Sequence, residues 1–208
     1  SDRWKSIMHR NVGLALENLY KDKLEEVVYQ LSLHFTNAEI PEKAIRYSLW
    51  AGTKSSSLYA YAEAIKYYEN ALSLIDKLPE SEGYRMMKTE ILISLTDIYM
   101  AIGNVEKSRE YGYETIKLGI ETGNSRVTGM GYRYLAKTYL QELNFDKTLE
   151  KLTQAMSVCK GTGDVSGSAE TYYLTGRVYM QMGRLTSALD AFDKSLTLIK
   201  RIGLSRVL

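Results

Sequence analysis

Apolar and small residues recur along almost the whole chain at steps of three and four, the spacing that lines one face of a helix. The pattern is clearest over residues 169–201, AETYYLTGRVYMQMGRLTSALDAFDKSLTLIKR. Tyr172, Gly176 and Tyr179 share a face there, Gly183 permits a turn with positive φ, and Leu185, Ala188, Leu189, Phe192, Leu196 and Ile199 form the inner side of a second helix. Read this way, the chain predicts ten helices, over about 2–20, 23–37, 41–53, 57–77, 83–102, 104–122, 125–142, 145–160, 165–182 and 185–202. Breaks are expected at Asn37, Pro41, Gly52, Pro79 to Ser81, Gly103-Asn104, Gly123-Asn124, Gly161 to Gly163, Gly183 and Gly203.

The helices repeat in pairs at a spacing of 40 residues. Tyr99, Tyr139 and Tyr179 fall in register, as do Met100, Leu140 and Met180, and Gly123, Gly163 and Gly203. Two columns hold small residues: Thr96, Ala136 and Gly176, then Thr115, Ala155 and Ser195. Gly103 and Gly183 also match, with Leu143 the exception between them. Small residues at facing positions let two helix backbones approach closely.

The order Gly176, Tyr179, Gly183, Ala188, Phe192, Ser195 resembles the tetratricopeptide (TPR) repeat. The units that begin at Thr89 and Gly129 keep Tyr99 and Tyr139 but carry Ser108 and Thr148 where the family has Ala. The usual period of that repeat is about 34 residues, so these units are longer by roughly one helical turn per helix. The resemblance implies an all-α fold, an α-α superhelix of stacked antiparallel hairpins. It divides the chain into a degenerate amino-terminal segment, 1–82, and three long units, 83–122, 125–162 and 165–203, with a further helix opening at 204–208. Within residues 7–76, MHRNVGLALENLY, LSLHF and AEIPEKAIRYSLWAGTKSSSLYAYAEAIKYYENALSLI resemble the region that follows the ATPase module in large signalling NTPases, including adenylate cyclase-linked, kinase-linked and LuxR-type regulators. That likeness implies the regulatory or sensor arm of a larger signalling protein, and residue 1 reads as a cut edge.

Composition agrees with a nearly all-helical chain. Only Pro41 and Pro79 occur, both between periodic segments. Tyrosine is used 17 times against 3 Phe, which suits thin layers whose ring packs while the hydroxyl reaches water. The net charge of +2 makes no case for nucleic acid or membrane. Residues 125–208 carry 12 Lys/Arg and 7 Asp/Glu, a small, dispersed excess. A single cysteine, Cys159, excludes an intrachain disulfide and fits a cytoplasmic setting.

Chemistry is sparse. Gly52-Thr53-Lys54-Ser55 lacks the Gly-Lys order of a phosphate loop, and the Gly161 to Gly167 string lacks the preceding strand of a dinucleotide site. His9, His34 and Cys159 have no metal-ligand spacing, so no metal, cofactor or catalytic set is expected. His34, beside Leu31 and Phe35, reads as a packed or partly exposed histidine and not a ligand, and Cys159 as a small semi-buried residue.

In tetratricopeptide proteins the first helix of each unit lines a concave groove. Carried over by position, the resemblance places Met100 and Asp97, then Arg133 and Lys137, then Tyr173 and Arg177 in that groove, a basic surface with an aromatic wall suited to an acidic peptide or a terminal carboxylate. Ser94, Tyr134 and Leu174 stand where a chaperone-binding clamp would need Asn, so a chaperone tail is not the expected ligand. Self-association through an uncapped end at RIGLSRVL, and a free-standing adaptor role, remain as alternatives.

Overall fold

A computed structural model describes residues 2–205, with side chains up to Gly203. Over these residues, ten α-helices run in chain order: α1 (Asp2–Leu19), α2 (Val28–Asn37), α3 (Pro41–Ser57), α4 (Tyr61–Ile75), α5 (Glu82–Ala101), α6 (Val105–Glu121), α7 (Ser125–Gln141), α8 (Phe145–Thr162), α9 (Val165–Gln181) and α10 (Leu185–Ser205). A 3-10 turn, Leu24–Val27, leads into α2. Among the described residues there is no strand. Among the described contacts, α1 packs on α2, α2 on α3 and α3 on α4, then α6 on α7, α7 on α8, α8 on α9 and α9 on α10, and α7 also touches α9. The chain forms two compact units, divided between Ile98 and Tyr99 within α5.

In the first unit, Val28, Leu31 and Phe35 of α2 and Ala44, Tyr47 and Ala51 of α3 form a buried core, with Leu16 of α1 packed against it. Tyr47 lies flat against Phe35, centroids 5.5 Å apart. Its hydroxyl donates to Glu17 Oε1 at 2.6 Å, and Lys43 ion-pairs with the same carboxylate. Burial and that carboxylate push the Tyr47 phenol upward. Between α1 and α2, the Nδ1 atoms of His9 and His34 are 2.9 Å apart. One ring must donate and the other accept.

In the second unit, Ala136 and Leu140 of α7, Leu152 of α8, and Leu174 and Val178 of α9 share one core. Each buried leucine contributes roughly 1.5–3 kcal/mol. The columns of small residues lie at the crossings. Ala136, Ala155, Thr115 and Ser195 are all buried, and a Cβ on Gly119 would come within 2.5 Å of the Thr128 backbone nitrogen. Where the column holds a hydroxyl, the hydroxyl finds a partner: Ser108 Oγ lies 2.9 Å from Thr138 Oγ1, and Ser195 Oγ donates to the Ala169 carbonyl at 2.8 Å.

The turns repeat more finely than the forty-residue pattern. Gly103, Gly123, Leu143, Gly163 and Gly183 all have φ between 58° and 78°, one every twenty residues. Glu39 and Tyr59, at φ 55° and 59°, make left-handed turns in the first unit, again twenty apart. Asn104, Asn124, Asn144 and Asp164 follow directly and cap the next helix, each side chain accepting from the N–H three residues on. Leu143 therefore makes the same left-handed turn as the glycines in its column, at a backbone cost of about 1 kcal/mol.

Three expected breaks lie inside helices. Gly52 is buried within α3, where a Cβ would stand 2.7 Å from the Tyr68 ring, so it serves a helix crossing and α3 continues to Ser57. The left-handed turn falls at Tyr59, and α4 starts at Tyr61, not at 57. Gly161 belongs to α8, with Gly163 making the turn. Gly203 lies in α10, which continues to Ser205; the expected opening of another helix thus places residues 204 and 205 in α10, and 206–208 lie outside the described residues.

Candidate functional site

The first helices of successive hairpins in the second unit place equivalent residues side by side. Met100, from the end of α5, Lys137, Leu140 and Gln141 of α7, and Arg177 and Gln181 of α9 line a cleft of about 260 Å³. The floor is apolar, from Met100 and Leu140. The rim carries two amides and two cations. Gln141 donates its side-chain N–H to the Met100 carbonyl at 3.1 Å, tying α7 to the end of α5. Arg177 is half-buried and makes no ion pair among the described residues.

The other expected groove residues sit differently. Arg133 is 5% exposed, so it is a buried group and not part of an open basic wall. Its Nε donates to Glu170 Oε2 at 2.9 Å, and Nη1 lies 3.6 Å from Cys159 Sγ. Lys137 reaches the other oxygen of the same carboxylate at 3.1 Å and lies 4.3 Å from the centre of the Tyr134 ring. Glu170, 37 residues away from Arg133 in sequence, thus holds both cations on α7. Tyr173 is exposed on α9, tilted against Phe192 at 5.8 Å, and does not line the cleft. Asp97 is exposed on α5 in the first unit. Leu174, a clamp position in the sequence comparison, is buried in the shared core.

Cys159 is buried, and that burial raises its thiol above the ordinary range despite the Arg133 guanidinium nearby. The glycine string after it is a turn: Asp164 caps α9 by accepting from the Gly167 N–H at 2.9 Å. Lys54, in the other glycine-containing string, lies within α3 and donates to the Glu25 carbonyl at 2.6 Å. Among the described residues no group of three His, Cys, Asp or Glu could hold a metal ion. No described helix is long and apolar enough to cross a membrane.

A second depression, about 470 Å³, lies between α8 and α9, lined in part by Leu149, Met156, Lys160, Tyr172, Thr175 and Tyr179. The sequence reading did not single it out. Its signal was the tyrosine pair 172 and 179 facing the apolar face of the preceding helix.

Comparison with known proteins gives the same architecture. Residues 169–201 match the family model described as tetratricopeptide repeat. A search of curated protein sequences returns no match. Among solved structures, BtubC (BKLC) from P. vanneervenii superposes with a TM-score of 0.63 at 15% identity, covering 98% of this chain and 92% of that one. Aspartyl phosphate phosphatase F from Bacillus subtilis gives a TM-score of 0.73 at 8% identity over 96% of this chain and 51% of that one, so the present chain spans about half its length. A putative kinesin light chain from Podosopora anserina, with nearly identical TPR-like repeats, gives 0.65 at 14% identity, covering 96% of this chain and 95% of that one. The fold is therefore a TPR-like helical solenoid, with the tetratricopeptide repeat itself matched at residues 169–201.

Proposed function

We propose that this chain is a non-catalytic protein-interaction scaffold that holds an extended peptide in the cleft of its first-type helices. The cleft lined by Met100, Lys137, Leu140, Gln141, Arg177 and Gln181 carries the reading. It offers an apolar floor for one side chain, glutamine amides that can pair with a peptide backbone, and a guanidinium with no ion-pair partner among the described residues. A carboxylate is the group that Arg177 would take up, in a bidentate pair. Glu170 already engages Arg133 and Lys137, so the acidic preference rests on Arg177. The test is a panel of fluorescent acidic and neutral peptides titrated against the chain. Arg177→Glu should weaken the acidic peptides at least about tenfold and leave neutral ones unchanged; the same affinity in both proteins would sink the idea.

The likeness of residues 7–76 to the region after the ATPase module of signalling NTPases supports a wider role, the regulatory arm of a larger cytoplasmic signalling protein. Self-association and a free-standing adaptor role are the alternatives.

A further inference from the structure

The crossing of α8 and α9 repeats that of α6 and α7 forty residues earlier, with residues of different size. α6 meets α7 through glycine: a Cβ on Gly112 would stand 2.8 Å from the Leu135 side chain, and one on Gly131 would stand 2.6 Å from that of Ile116. The equivalents in α8 and α9 are Leu152 and Thr171, whose side chains deny the two backbones that approach. Beside the earlier crossing stands Tyr113 of α6. Its hydroxyl oxygen lies 3.1 Å from that of Tyr139, and Arg109 and Lys147 lie 5.6 and 5.3 Å from the centre of the Tyr139 ring. Forty residues on, Tyr139 is again a tyrosine, Tyr179, while Tyr113, Arg109 and Lys147 become Thr153, Leu149 and Ser187. Leu149, Thr153 and Tyr179 line the depression of about 470 Å³. The Tyr179 hydroxyl, whose counterpart meets Tyr113, has no hydrogen-bond partner among the described residues. Both helices of this groove are already seated on their outer neighbours, α8 on α7 and α9 on α10, so its opening does not depend on a further repeat.

Lys160 stands at the other end of the groove, exposed and without an ion pair among the described residues. It follows Thr153 by two helical turns on the same face of α8, about 10 Å along the axis. An extended peptide covers that distance in about three residues. Leu152 and Met156 make the surface between them apolar. We propose that this groove binds an extended segment of a partner protein. A tyrosine of the segment seats beside Thr153 with its hydroxyl on that of Tyr179, and an acidic residue about three positions away pairs with Lys160. The incoming ring takes the place that Tyr113 fills from within the chain one repeat earlier. Thr153 and Lys160 are both exposed, so the groove is open along the length that such a segment needs. The site shares no residue with the cleft of Met100, Lys137 and Arg177 and stands independently of it.

The probe is a short labelled peptide with a central tyrosine, a glutamate about three positions away on either side, and serine between. Titrated against the whole chain by fluorescence anisotropy, it should bind saturably. Thr153→Tyr, which restores the residue of the preceding repeat, should weaken it at least about tenfold, with an unchanged circular dichroism spectrum because position 153 is exposed. Lys160→Glu should weaken it about threefold or more, and serine in place of the peptide tyrosine should abolish saturable binding. Arg177→Glu should leave binding unchanged, so this site and the cleft fail separately. Absence of saturable binding, or an unaffected Thr153→Tyr protein, overturns the proposal. So does equal affinity for N-acetyltyrosine amide, which assigns the groove to a small phenol. A mass by light scattering that rises with concentration, and that Thr153→Tyr returns to the monomer, assigns it to another copy of the chain and overturns the proposal as well.

Discussion

Glu170→Gln should destabilise the fold more than removal of the arginine it binds. The Arg133 side chain is 6% exposed and Glu170 42%. A guanidinium cannot give up its proton, so a neutral glutamine leaves a buried positive charge beside a thiol that burial holds in its neutral form. Breaking a buried pair in this way costs about 3–5 kcal/mol, and the partial exposure of Glu170 places the expected loss near the lower figure, about 3 kcal/mol. Arg133→Met leaves no charge inside. Glu170 keeps Lys137 at 3.1 Å and its access to water, so the cost is that of imperfect repacking, about 1 kcal/mol. The difference, about 2 kcal/mol, is roughly thirtyfold in the unfolding equilibrium. The double variant should therefore be more stable than Glu170→Gln alone. Urea denaturation at pH 7, followed by far-ultraviolet circular dichroism, measures all three. A loss for Glu170→Gln no greater than for Arg133→Met, or a double variant less stable than either single one, would refute the reasoning.

Leu143→Gly should raise stability by about 0.5 kcal/mol, because relief of a left-handed leucine outweighs the extra freedom of glycine in the unfolded chain; a lower thermal midpoint would contradict it. Stability should also fall in mild acid through the histidine pair. Burial, then the His9 cation, hold His34 below its usual 6.5. Above that value both states are neutral there and nothing is lost. As pH drops from 6.5 toward the lowered value the unfolded chain takes up the proton first, so the folded state loses ground. His34→Gln, which cannot charge, should flatten that part of the stability profile; an unchanged slope between about pH 7 and 5 would exclude the pair as its source.

Periodicity made the helices and their pairing legible, because a buried face needs apolar residues every third or fourth position whatever they pack against. Glycine was harder to read. Gly183 ends a helix with positive φ, while Gly52 sits inside α3 beneath Tyr68. Both functions require the missing Cβ, and only the neighbouring helix distinguishes them. Leu143 is the converse, a left-handed turn carried by a residue that disfavours it, visible only through its place between Gly103 and Gly183. On α10, Leu185, Leu189, Leu196 and Ile199 read as the inner side but are exposed, and the buried stripe is Ala188, Ala191 and Ser195, since close approach to α9 selects for size over greasiness. The forty-residue register placed Met100, Lys137 and Arg177 on corresponding faces, and the cleft brings those three together. It could not show that Arg133 is buried, because the carboxylate that holds it lies on the next first-type helix.

The left-handed turn every twenty residues has a consequence for how the chain folds. Every described helix–helix packing joins neighbours in sequence, or helices separated by one, so no loop that must close is much longer than one repeat. The entropy of closure stays small, and low contact order of this kind favours rapid folding. Each aspartate or asparagine cap marks where a new helix can nucleate; in the second unit α6 to α9 carry one, whereas α10 follows Arg184, so its start is the least fixed by local sequence among these five. Folding of the second unit should spread outward from the capped hairpin of α7 and α8, with α10 the last to lock and the first to exchange its amide hydrogens.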